Sequence, residues 1–426
     1  MCKLVITNGW SDLNSGDSAI VMSVIQRFYM EFGDSLSVTV LSELNELNEY
    51  YSDSIDKIID VFPSISIKLL PSPFKKVYTK NYLDKISEVF SFVKNLALIP
   101  FGQFSSDEYI KHIREADVVV SKGGHFIHDR GGIHSVVHLL KCLYPIIIAK
   151  RLDVKYSLLA QSYGPFYKNS ILSKFNVALV RSVLNNAEGL SVRESVSIGA
   201  LEDIGVDKNK TYATSDYAFL MNDIEFKQCR KFDYENFFVV TLRQHNFKNR
   251  NGETAYLESI KKLCVDTYEK YAIYPLIVPH VKGPNSFEND IIITKKFEDL
   301  LTEDEKVIFK FEYEHMHAIE FMKLYSKAKI LIGTRFHSVI FALCSSVPSF
   351  AISYSGYKAN IMNQFSMEDF MIDIEDVNER HFDVIRSKVF KLIDDNDFYR
   401  DNITNMMSFV RNEIINDPAF SKLLMK

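Results

Sequence analysis

Arg335 and His337 stand one residue apart in Gly333-Thr334-Arg335-Phe336-His337, directly after the apolar run 330–332. A guanidinium can hold a carboxylate or phosphate through two parallel hydrogen bonds, and an imidazole beside it can move a proton near neutral pH. Other residues of the same kinds follow other apolar runs. Arg243 comes after 237–242, His280 and Lys282 after 275–279, and Lys358 after Tyr354-Ser355-Gly356-Tyr357. Together they predict a basic edge on one sheet, suited to a small phosphorylated or carboxylated ligand. Each also has a plainer role, as a surface ion pair or a helix cap.

The first half carries a second set. Asn14-Ser15-Gly16-Asp17 opens a helix, where free N–H groups can receive an anion, although Asp17 can equally be a simple cap. Ser121-Lys122-Gly123-Gly124-His125 places paired glycines after a strand, and bare amides there can face a ligand. His134 and His138 share a helix face, with Asp129 nearby, but no metal-site spacing such as HExxH is present, so no metal is expected. In Gln161-Ser162-Tyr163-Gly164-Pro165-Phe166 the aromatic rings can stack on a sugar or fill the core. Arg193 ends another apolar run and Asp216 follows a polar turn; they are candidates for substrate binding or for a structural ion pair.

The elements that must position these residues alternate between strand-like and helix-like patterns, which predicts parallel α/β sheets. In the first half the strands fall at 3–7, 37–41, 116–121, 156–161 and 189–192, and helices at 17–32, 133–151, 173–186 and 194–204. A polar stretch at 222–235 reads as a linker. A second series follows, with strands at 237–242, 275–279, 307–311, 330–333 and 349–353. The expected division is 1–221, 236–375 and a helical tail at 376–426. The fold class is α/β, with two Rossmann-like domains facing a cleft in the glycosyltransferase-B-like manner.

Composition removes several function classes. Of 426 residues, 47% are apolar and 25% charged, which describes an ordinary globular protein. The net charge of −5 argues against general nucleic-acid binding. The five cysteines are scattered without a CxxC pair, so a zinc knuckle and a disulfide framework are not indicated, and a reducing cytosol fits. The first residues enter a strand-like run with no signal-peptide core, and no apolar stretch reaches the length of a membrane span. A basic segment at 74–77 precedes an apolar one at 86–104. Such a pairing can rest on a membrane surface or pack on the sheet.

The ordered set of motifs resembles the polysaccharide pyruvyl transferases. It comprises Asn14-Ser15-Gly16-Asp17, Gly123-Gly124, Gln161-Ser162-Tyr163-Gly164-Pro165-Phe166, Ser191-Val192-Arg193-Glu194-Ser195, Asp216-Tyr217-Ala218-Phe219, Arg335-Phe336-His337 and Tyr354-Ser355-Gly356-Tyr357-Lys358. The resemblance implies transfer of a pyruvyl group from phosphoenolpyruvate to a sugar of a cell-surface polysaccharide or its lipid-linked precursor, giving a pyruvate ketal. Arg335 and His337 match the family's phosphoenolpyruvate-contacting Arg-x-His. Three positions depart from the family pattern: His125 after the glycine pair, Tyr217 after Asp216, and Glu194 after Arg193. On this basis the expected catalytic residues are His337, His280 and Asp17. The expected substrate-binding residues are Arg335, Arg243, Lys358, Arg193, Gly123, Gly124, His125, Asp216 and Asn14, and no cofactor is needed besides the donor. The expected location is cytoplasmic, with a peripheral contact to the inner face of the membrane. Two other functions suit the same residues: a glycosyltransferase or sugar-nucleotide epimerase of the same architecture, and a non-catalytic binder of an anionic metabolite.

Overall fold

The computed structural model describes residues 1–46, 48, 51, 56–74, 82–98, 107–224, 230–283, 288–354 and 357–425, with backbone alone at 56, 82–86, 96–98, 107 and 357–360. It divides into two compact units, Met1–Asp12 with Asp17–Ile224 and Asn412–Lys426, and Leu13–Gly16 with Glu225–Arg411.

The first unit holds β1 (Cys2–Gly9), β2 (Leu36–Ser42), β3 (Ser66–Leu70), β4 (Val118–Ser121), β5 (Gly124–Ile127), β6 (Tyr156–Tyr163), β7 (Leu190–Val192) and β8 (Thr211–Ala213). They form one parallel sheet in the order β3-β2-β1-β4-β6-β7-β8, and β5 pairs with the far end of β6. Runs such as Leu4-Val5-Ile6 and Val118-Val119-Val120 are buried throughout, as strands covered by helices on both faces must be.

The second unit holds β9 (Phe237–Thr241), β10 (Tyr274–Ile277), β11 (Lys310–Phe311), β12 (Leu331–Gly333), β13 (Ser349–Ser353) and β14 (Met371–Asp373). Their order is β11-β10-β9-β12-β13-β14, also parallel. Counted within this unit it is the doubly wound order 3-2-1-4-5-6, which reverses between β9 and β12. Ligands of such sheets bind beyond the carboxyl ends of the strands at that reversal.

Two features differ from the boundaries expected from sequence. The segment 376–426 is not a body of its own. Its helix Phe382–Asp394 packs on the helix Gly252–Tyr271 and β13, whereas Pro418–Leu424 packs on β6, β7 and β8 of the first unit. There the Tyr217 hydroxyl donates to Asp417 at 2.9 Å, and the Arg27 guanidinium lies 3.7 Å from the Phe420 ring centroid. A Cβ added at Gly189 would come within 2.6 Å of the Ala419 backbone, so glycine is required for this helix to seat. The second feature is the loop Leu13–Gly16, which belongs with the second unit although it lies near the start of the chain.

One expectation about membranes is corrected. Among the described residues the helix Gly132–Arg151 is long and apolar enough to cross a bilayer. Its Leu139, Leu143, Tyr144, Ile146 and Ile148 are instead buried in the core of the first unit. Of the segment 74–104, residues 75–81 and 99–104 lie outside the described residues. The helix Tyr82–Leu98 sets Phe92 against the core and leaves Val89, Phe90 and Val93 exposed.

Candidate functional site

Thr241 and Gly333 are register partners on β9 and β12, at the reversal of strand order in the second sheet. Arg243 and Arg335 lie two residues beyond them, so adjacent parallel strands deliver two guanidinium groups to one edge. The strand ends are fixed by hydroxyls. Thr334 N–H donates to Thr241 Oγ1 at 3.1 Å, Tyr256 and Thr334 hydroxyls are 2.9 Å apart, and Ser338 Oγ donates to the Arg335 carbonyl at 2.7 Å.

Arg335 is held by Asp290, a fully buried carboxylate at the start of the helix Asp290–Glu298. Its Nε lies 3.0 Å from both carboxylate oxygens, and its Nη2 donates to Oδ1 as well. Among the described residues Nη1 has no protein acceptor, so that edge of the guanidinium can face an anion. Burial works against the Arg335 charge, but the Asp290 carboxylate outweighs it and holds the arginine above its ordinary pKa. Asp290 also accepts the backbone N–H groups of His280 and Val281 at 3.2 and 2.9 Å. Arg243 is stacked 3.6 Å over the Tyr354 ring centroid. Burial lowers its pKa; Tyr354 opposes that shift and the neighbouring Arg335 charge adds to it. Asp290 offsets the Arg335 charge, and an anion bound at this edge would offset that of Arg243.

His337 sits in the first turn of the helix Phe336–Cys344, for which Arg335 is the residue before the first turn. Its ring lies against the loop from the start of the chain: a Cβ built on Gly16 would fall 2.1 Å from His337 Nδ1. That loop is pinned, since Lys282 N–H donates to the Leu13 carbonyl at 2.9 Å and Ser15 Oγ donates to the Met316 carbonyl at 3.0 Å. Asn14 forms a bridge with Val281. Asn14, Ser15 and Gly16 were expected to form an anion loop on the first sheet. They are instead the wall that sets the position of His337.

His280 does not join the site as expected. It is 2% exposed, stacked at 4.4 Å on Phe321 and 5.3 Å from Phe341, in the core of the second unit. Lys358 lies on the helix Tyr357–Gln364, and its side chain is outside the described residues. Lys282 donates to the Tyr313 carbonyl at 2.7 Å. Burial pushes its ammonium down to about 8 from the usual 10.5, with Glu312 and Glu314 pulling it back up. A cation with a depressed pKa costs stability at neutral pH, and that cost disappears as pH rises through about 8 towards 10.5. The Tm of Lys282→Met minus that of the wild type is therefore expected to fall between about pH 7.5 and pH 10. Melting curves across that range would contradict this assignment if the difference were flat or rising.

The first unit gathers charges at its own strand ends, but they are consumed by each other. Lys122, 2% exposed, pairs with Asp17, so the expected catalytic carboxylate is tied to an ammonium. Arg193 donates to Asp216 at 2.5 Å and to Ser162 Oγ at 2.8 Å, and Asp216 also caps the following turn through Ala218 N–H. Glu194 accepts from Ser162 and Ser197 in the same network. Arg193 and Asp216 thus form the structural pair, in place of the substrate contacts expected of them. Gly123 is a glycine because a Cβ there would lie 2.7 Å from the Ala160 carbonyl. Gly124 starts β5, and its carbonyl accepts from Gln161 at 2.5 Å. The glycine pair therefore serves strand packing, where bare amides facing a ligand were expected. His125 bonds the Gly164 carbonyl at 2.6 Å, and burial lowers its pKa, with that carbonyl opposing. His134 and His138 line a cavity of about 210 Å³ with Glu43, Phe74, Tyr109 and Lys141.

A family model described as polysaccharide pyruvyl transferase matches residues 14–356. The amylovoran biosynthesis protein AmsJ of Erwinia amylovora is 23% identical over 391 residues, covering 88% of each chain. Among solved structures, an S. aureus MnaA–UDP complex aligns over 99% of this chain and 98% of that one, with TM-score 0.56 and 12% identity. HepE of Anabaena in complex with UDP aligns over 99% of both chains, with TM-score 0.54 and 11% identity. The putative UDP-N-acetylglucosamine 2-epimerase of Listeria monocytogenes aligns over 95% and 91%, with TM-score 0.57 and 11% identity. At these identities the structural likeness concerns the fold, a pair of glycosyltransferase-B-like Rossmann domains.

Proposed function

The chain belongs to the polysaccharide pyruvyl transferase family, and from that premise we propose that it moves the pyruvyl group of phosphoenolpyruvate onto a sugar as a ketal. It is a transferase that acts in polysaccharide modification. The acceptor is a sugar of a cell-surface polysaccharide or of its lipid-linked precursor, and the donor needs no cofactor. The observation that carries the donor assignment is the arginine pair at the strand reversal of the second sheet. One guanidinium is locked by Asp290 with an edge left over, and the other is stacked on Tyr354. Phosphoenolpyruvate brings a phosphate and a carboxylate, and two guanidinium forks suit two such groups.

The reaction takes one proton from each of two sugar hydroxyls, delivers one to C3 of the enol and leaves the other on the departing phosphate. C3 of the enol takes a proton and C2 becomes cationic. A sugar hydroxyl adds to C2 and loses its proton. Phosphate then leaves with its bridging oxygen, and a second hydroxyl takes its place at C2, losing its own proton and closing the ketal. His337, two residues past Arg335, is assigned as the acid and base of this sequence. Arg243 and Arg335 hold the phosphate and carboxylate and offset the charge that collects on the departing phosphate.

Two measurements separate binding from chemistry. Phosphoenolpyruvate should raise the Tm of the wild type, while UDP-glucose and GDP-mannose in parallel should not. His337→Ala should keep the phosphoenolpyruvate shift and lose turnover by roughly 10²–10⁴-fold, read as phosphate release with a panel of p-nitrophenyl glycosides. Stabilisation by the nucleotide sugar alone would assign the donor site to a glycosyltransferase or epimerase. Undiminished turnover in His337→Ala would remove the imidazole from the chemistry.

A further inference from the structure

The helices Gly132–Arg151 and Ile171–Leu184 pack side by side in the first unit. Each links parallel strands, so both begin at the carboxyl edge of the sheet. The turns leading into them are bonded to one another. Asp129 N–H donates to the Pro165 carbonyl at 2.8 Å, and Gly164 N–H donates to the Ile127 carbonyl at 3.0 Å. Around these turns large apolar side chains face outward: Ile133 is 56% exposed, Tyr167 46%, Ile171 85%, Leu172 38% and Phe175 48%. Single exposed apolar residues are ordinary, but a group at one tip of a domain marks an interaction surface.

Within 129–175 the acidic residues are Asp129, which is buried, and Asp153, which follows the far end of the helix Gly132–Arg151. Arg130, Lys168 and Lys174 are exposed and lie within a few residues of the apolar group. Exposed aromatic and branched side chains at the starts of two helices suit insertion at a headgroup boundary. Lys168 Nζ donates to the Asp203 carbonyl, and the exposed Arg130 and Lys174 suit the negative potential of an anionic bilayer.

We propose that this tip is a peripheral membrane-binding surface for anionic phospholipid headgroups. It stands apart from the donor assignment, which rests on residues of the second unit. On the proposed function it would concentrate the enzyme where lipid-linked saccharides reside.

The test is co-sedimentation of the full chain with vesicles of phosphatidylglycerol and phosphatidylcholine, against vesicles of phosphatidylcholine alone. The wild type should pellet with the anionic vesicles and be released by high salt. Lys168→Gln with Lys174→Gln should weaken binding roughly 30-fold. Ile171→Ser with Phe175→Ser should weaken it roughly tenfold or more. Both variants should keep the wild-type melting temperature and the phosphoenolpyruvate shift. The proposal falls if the wild type stays in solution with anionic vesicles, or binds both vesicle types equally. It falls too if the variants bind like the wild type. Sedimentation velocity adds a further arm: a wild-type dimer that Ile171→Ser with Phe175→Ser dissociates would make the tip a contact between copies and overturn the lipid assignment.

Discussion

Arg335→Ala is expected to destabilise the second unit by about 3–5 kcal/mol and to abolish the phosphoenolpyruvate shift. Asp290 is fully buried, and Arg335 is its ion-pair partner. Truncating the arginine leaves a carboxylate out of water with two backbone N–H groups for support and only the charge of Arg243, which it does not pair with directly, opposite it. Breaking a buried pair costs far more than never having built one. Asp290→Asn combined with Arg335→Met should therefore recover much of the stability, because the amide oxygen can still accept from His280 or Val281. The same double variant should show no donor-induced stabilisation. Chemical denaturation measures the first property and a phosphoenolpyruvate titration the second. If Arg335→Ala unfolded with the wild type and kept the donor shift, Asp290 would have another role and Arg335 would not be the donor's anchor.

The second large effect is expected from the removal of no functional group at all. Gly16→Ala places a methyl group 2.1 Å from His337 Nδ1 and 2.4 Å from Cγ. Neither side can yield easily. The loop is held at Leu13 and Ser15, and the clash extends to His337 Cβ at 2.9 Å, an atom bonded to the helix backbone. A displacement of about 1 Å at a group that transfers protons costs roughly 100-fold in rate. Turnover should fall by about that factor while the donor shift, which depends on the arginines, stays. In a His337→Ala background the same change should cost little, because the two act through one contact. Equal losses in both backgrounds would show that the methyl group acts on the fold and not on the imidazole.

Much of the scaffold could be read from the chain, because strands buried on both faces leave apolar runs with polar ends. The strands at 237–242 and 330–333, and the arginines after them, were legible for that reason. Short strands without such a run were not. Gly124–Ile127, Thr211–Ala213 and Met371–Asp373 are three or four residues long, and two of them carry a charged or imidazole side chain. Asp290 gave no signal, since one acidic residue in the first turn of a helix is commonplace and its partner lies 45 positions away. His280 misled in the opposite direction: it follows a strand, but its ring is stacked among phenylalanines in the core. The glycines at 16 and 123 were marked as backbone that faces a ligand. What approaches them, an imidazole ring and a carbonyl of β6, depends on tertiary placement that spacing cannot encode.

The return of Pro418–Leu424 to the first sheet has a consequence for biosynthesis. A chain leaving the ribosome has all eight strands of that sheet long before the helix that covers β6, β7 and β8 exists. Arg27, Tyr217 and Gly189 must wait for partners at 415–420, which are made 200 or more residues later. The second unit takes only Leu13–Gly16 from outside its own stretch, residues that are already in hand. The nascent chain can therefore complete its second unit first and its first unit last, the reverse of the order in which they are encoded.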